Sequence, residues 1–134
     1  MKSLNRIIFC FIIIAAFIIS GCNKDKDNEE DVVKSIPTVS TLDVINIGAQ
    51  DATGRGDVTN DGNDPIIARG ICWSTTQNPD LNDSFTIDPN PGEGQFGNQM
   101  TGLAPGGITY YVKAYATNST GTAYGGEKSF QTTL

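Results

Sequence analysis

"GLAPGGITYYVKAYATNSTG", residues 102–121, is the stretch whose reading decides the fold. From Tyr110 the side chains alternate. Tyr110, Val112, Ala114 and Ala116 fall on one face, and Tyr111, Lys113, Tyr115 and Thr117 fall on the other. A period of two with aromatic and β-branched residues is the pattern of a strand with one face in a core. Turn chemistry bounds it on both sides: Pro105-Gly106-Gly107 before, and Asn118-Ser119-Thr120-Gly121 after.

The same grammar continues outward through residues 36–134. "TVSTLDV", "ATGRGDVT", "IIARGICWST", "GQFGNQMTG" and "EKSFQTT" have strand character, and no segment carries a 3.6-residue apolar period. The spacing predicts an all-β sandwich of about seven strands within about 99 residues, enough for one domain. Cys72 is the one cysteine in this region, so no internal disulfide staples it. Its apolar surroundings predict a buried small hydrophobe.

The 102–121 stretch resembles the E–F corner and F strand of the fibronectin type III family, which reads approximately L-x-P-x-x-x-Y-x-V-x-V-x-A-x-N-x-x-G. Leu103, Pro105, Tyr110, Val112, Ala114, Ala116, Asn118 and Gly121 occupy those positions. Residues 106–109 make the corner one residue longer than usual, and the family's strand-B tryptophan is absent, with Trp73 in the presumed strand C carrying the aromatic weight. With "ARGICWSTTQNP" and "AYGGEKSF" added, the chain resembles the fibronectin-like modules of Bacteroidota surface lipoproteins. The resemblance implies an immunoglobulin-like sandwich in which Tyr110 is a structural tyrosine corner, its hydroxyl bonded to upstream backbone. It implies display, not a reaction.

The N-terminus fits that setting. Lys2 and Arg6 precede an apolar run from Ile7 to Ile19, about thirteen residues, the length of a signal-peptide core and short of the roughly 20 residues a spanning helix needs. "FIISGC" then resembles a lipobox: residues 1–21 are expected to be a lipoprotein signal peptide and Cys22 the lipidated residue. Residues 22–35, with the acidic run "NKDKDNEED", read as a flexible tether. An acidic stretch in that place resembles the export signal that sends such lipoproteins to the outer face of the outer membrane.

Without Lys2 and Arg6 the nine basic residues fall to seven against fifteen acidic ones, a formal charge of −8. That excludes nucleic acid and electrostatic docking on anionic lipid, both of which require positive charge. Membrane attachment is therefore expected through lipid on Cys22, where more than one acyl chain is needed for stable anchoring.

Two motifs invite functional readings. Arg55-Gly56-Asp57 matches an integrin-recognition triplet, but it falls in a presumed strand rather than at a loop tip, so an integrin partner is not expected. Asp57, Thr59, Asp61 and Gly62 follow half of a calcium loop, yet Thr59 replaces an expected ligand and Ala68 stands where the bidentate Glu belongs. A polar turn over residues 60–65 is the simpler reading. The chain has no histidine, so a hydrolytic Ser or Cys lacks its usual base, and no phosphate-cradling glycine loop leads into a helix. No enzyme activity, cofactor or metal is expected.

A binding module for glycan or envelope protein is the preferred function, with a spacer in an outer-membrane lipoprotein assembly as the alternative. The candidate binding face is Tyr111, Lys113 and Tyr115, opposite the core set, with the two rings expected roughly 7 Å apart and Lys113 as a donor.

Overall fold

The computed structural model describes residues 30–134, so the expected signal peptide, the expected lipidation site Cys22 and most of the acidic run lie outside the described residues. Among the described residues there is no helix. Eight strands run β1 (Thr38–Ile45), β2 (Asp51–Asn60), β3 (Ala68–Ser74), β4 (Ser84–Phe85), β5 (Gly94–Thr101), β6 (Thr109–Thr117), β7 (Thr122–Tyr124) and β8 (Lys128–Gln131). They form two antiparallel sheets. One has the order β1-β2-β5, the other β4-β3-β6-β7 with β8 also on β6. This is an immunoglobulin-like β-sandwich without a disulfide; Cys72 is a free thiol.

Alternation builds the core. Val39, Ala52, Val58, Phe96 and Met100 face inward from one sheet, and Ile71, Trp73, Tyr110, Val112, Ala114, Ala116 and Phe130 face them from the other. Burying such side chains is worth roughly 1.5–3 kcal/mol each for the larger ones, which is what holds the two layers without a covalent link.

The glycine of the Arg55-Gly56-Asp57 triplet has a packing role. β2 is the central strand of its sheet, with Gly56 paired to Thr41 on one side and Phe96 on the other. A methyl on Gly56 would come within 2.6 Å of Ala114 Cβ and 2.7 Å of Phe96 Cζ. Gly56 is therefore required for the sheets to approach, and Arg55 is committed to the carbonyl of Asp43 (Nε to O, 3.0 Å).

β7 and β8 both pair with β6, at opposite ends, and Gly125-Gly126-Glu127 interrupts what would be one edge strand. In that gap Thr41 reaches across from the other sheet, and its hydroxyl accepts the Ala114 N–H at 3.0 Å. The buried backbone donor is thereby satisfied without a ladder partner. A side chain at Gly125 would collide with Thr41 Oγ1 at 2.4 Å, so the interruption and the threonine fit one another.

Candidate functional site

The Tyr110 side chain closes the corner. Its hydroxyl accepts the backbone N–H of Ala104 at 2.9 Å while its ring stacks on Phe130, 5.8 Å between centroids. The longer corner is secured from the far side by Thr132, whose hydroxyl accepts the Ile108 N–H (3.0 Å) and donates to the Ala104 carbonyl (2.8 Å).

The expected binding face requires a correction. Tyr111 and Lys113 are partly exposed, but Tyr115 is 2% exposed. Its ring lies over Gly70, the residue directly opposite in β3, and its hydroxyl donates to the Thr86 carbonyl at 2.6 Å. Phe85 packs edge-on against it at 6.3 Å. Strand β4 and the start of the β4–β5 connection, through Phe85 and Thr86, lie over the outer face of the sheet and cover the position that alternation alone exposes. Burial raises the Tyr115 phenol pKa above its ordinary value. Four residues of strand also separate Tyr111 and Tyr115 by about 13 Å rather than the roughly 7 Å expected, so the two rings do not grip one ligand. What remains outside is Tyr111, Lys113 and Tyr124, with the Lys113 ammonium 5.9 Å from the Tyr124 ring centre.

Cys72 lies beneath the same cover, fully buried, its Sγ donating to the Lys113 carbonyl at 3.5 Å. Burial pushes its thiol pKa up to about 11, which leaves almost no thiolate nucleophile at neutral pH.

The acidic turn is structural. Asp64, 4% exposed, accepts the Lys34 ammonium at 3.1 Å and the Ser119 N–H at 2.9 Å, and it bonds the Ser119 hydroxyl. The Ser119 hydroxyl, then Lys34, hold its carboxyl below the usual carboxylate range. Asp61 caps the Asn63 N–H at 2.9 Å. Among the described residues no group of three potential metal ligands converges.

Lys34 and Ser35, read from sequence as part of the tether, are fastened to the domain. The Ser35 N–H donates to the Gly62 carbonyl (2.9 Å), and the Asn118 amide donates to the carbonyls of Ser35 (2.7 Å) and Asp61 (2.8 Å). Asn118 is the asparagine of the quoted motif, and it ties the chain's approach to the turns after β2 and β6.

A groove of about 550 Å³ lies at the opposite end of the sandwich. The ends are defined by register. Thr38 pairs with Asn60 and Ala68 with Thr117 near Ser35, whereas Asp51 pairs with Thr101 and Ser74 with Tyr111 at the groove. Trp73 and Tyr110 line the groove from the core, and Ser74, Asn82, Asp83, Ser84 and Thr101 line its rim. Sequence reading missed this site because its residues come from four separate segments and none forms a motif.

No protein-family model matches the chain, and no curated protein matches it. Among solved structures it is similar to the sensor domain of the anti-sigma factor RsgI4 in Pseudobacteroides cellulosolvens, with 16% identity, TM-score 0.54, and coverage of 75% of this chain and 97% of that one. It is also similar to a myokine, with 17% identity, TM-score 0.52, and coverage of 75% and 99%. At these identities the likeness is one of fold, a β-sandwich domain.

Proposed function

We propose that the chain is a lipid-anchored protein of the bacterial cell envelope, displaying one fibronectin type III-like domain as a non-catalytic binding module. The strand order β1-β2-β5 facing β4-β3-β6-β7 and the Tyr110 bond to the corner backbone support the fibronectin-like reading. The absence of histidine and the deeply buried Cys72 thiol argue against hydrolytic or thiol catalysis. The likeness to an anti-sigma sensor domain is compatible with binding or sensing.

The arrangement of the two ends carries the reading. The chain joins the sandwich at the Gly62 and Asn118 turns, and the groove opens at the other end. The docking of Lys34 and Ser35 at the end opposite the groove supports a module whose groove is left open when Cys22 carries the anchor. The test is retention of the full chain, solubilised in detergent, on resins carrying polysaccharides or envelope extract. Specific retention is the expected result; passage through every resin at the rate of an unrelated lipoprotein contradicts binding and favours the spacer.

A further inference from the structure

We infer that the groove between the β3–β4 connection and the β5–β6 corner is a binding site for a neutral glycan. This rests on the binding-module reading above and names its ligand class.

The groove's volume, about 550 Å³, lies within the roughly 300–1,000 Å³ of small-ligand sites. Its rim is built from hydroxyls and an amide. Ser74, Ser84 and Thr101 come from three strands, and Asn82 comes from the turn before β4. Such groups donate and accept in turn, which suits a ligand whose every face carries hydroxyls. Its floor is aromatic. Trp73 and Tyr110 are each 8% exposed, so only their edges reach the groove. Tyr110 is held there by Ala104, which makes the floor rigid.

Trp73 brings one side-chain donor, its indole N–H. Among the described residues no acceptor bonds it, and no buried side-chain nitrogen is left unpaired. That N–H therefore keeps some contact with solvent, and Trp73 is among the residues that line the groove. Tryptophan combines an apolar body with such a donor, a pairing suited to ligands that are apolar on one face and wet at the edge.

Charge selects the class. No lysine or arginine lines the groove, and its one charged residue is Asp83. Asp83 accepts the Asp80 N–H at 3.0 Å, which fixes the carboxylate in the turn. An acidic glycan or phosphate meets repulsion and finds no cation. A neutral sugar finds acceptors and donors at no electrostatic cost.

Trp73 is the chain's one tryptophan, so its emission reports on the groove directly. The full chain in detergent is titrated with cellohexaose, xylohexaose, mannohexaose and the acidic oligogalacturonate, alongside the resin retention experiment. At least one neutral oligosaccharide is expected to shift Trp73 emission saturably. In the Asn82→Ala/Ser84→Phe variant, which loses the amide and fills the groove, affinity is expected to fall at least tenfold with the melting temperature kept within a few degrees. Should that pair unfold the domain, Asn82→Ala alone, on an exposed turn, is expected to weaken binding at least threefold. Resin retention with no emission change, or with affinity undiminished in a folded groove variant, overturns the groove assignment and leaves the binding reading standing. A response to oligogalacturonate alone overturns the neutral class. Absence of any retention overturns both.

Discussion

Gly70 of β3 sits directly across from Tyr115 of β6, and the tyrosine ring covers it. A methyl at Gly70 would come within 2.9 Å of the ring and 2.1 Å of the Thr86 carbonyl oxygen. The small residue therefore lets the phenol cross its strand and hold down the chain where it leaves β4 at Thr86. Gly70→Ala is expected to destabilise by about 1–3 kcal/mol through overpacking against backbone, and Tyr115→Phe by about 1 kcal/mol through the lost bond to Thr86. Urea midpoints check both; a Gly70→Ala midpoint equal to that of the parent chain contradicts the packing.

The Tyr110 corner makes a separate prediction. Tyr110→Phe leaves the ring on Phe130 but removes the acceptor of the Ala104 N–H. The expected cost is about 1 kcal/mol, read as a lower denaturant midpoint with faster hydrogen exchange at the Ala104 amide.

Arg69 anchors the β4–β5 connection. Its Nε bonds Asp88 at 2.8 Å with both side chains buried, a second nitrogen donates to the Gly92 carbonyl at 2.8 Å, and the guanidinium lies 4.7 Å from the Phe96 ring centre. Removing one partner of a buried pair strands the other, so Asp88→Ala is expected to cost about 3–5 kcal/mol. Arg69→Lys does not restore it, since an ammonium lacks the planar fork that reaches both acceptors. Thermal unfolding of the two variants tests this.

Asp64 gives the domain an acid-sensitive clasp. Its carboxyl pKa is depressed in the folded chain by Ser119 and Lys34. Below its unfolded pKa, about 3.9, the unfolded state takes up a proton before the folded state does. The stabilisation is thus complete at neutral pH and is lost as pH falls through that value toward the lower folded one. Asp64→Asn is expected to flatten the decline in melting temperature below about pH 4. Some slope persists, because Lys128 lowers the pKa of the exposed Asp43 in the same sense.

What was legible in the sequence follows the range of each interaction. The β6 core face was readable because alternation is local: Tyr110, Val112, Ala114 and Ala116 point inward as a period of two requires. β4, two residues long, was not, since Ser84-Phe85 offers no period at all. Tyr115 was misread because its cover comes from Phe85 of β4 and Thr86 just after it, a tertiary choice that alternation does not encode. Lys34 and Ser35 looked like solvated tether because their partners, Asp64 and Asn118, lie far along the chain. The Arg69–Asp88 pair and the groove were invisible for the same reason.

Attachment through Cys22 is the claim on which presentation of the groove depends, and metabolic labelling with radioactive palmitate measures it most directly. The parent chain and Cys10→Ser are expected to be labelled and processed, while Cys22→Ser accumulates as an unlabelled precursor. Equal labelling of the two cysteine variants, or none in the parent chain, contradicts the lipid anchor.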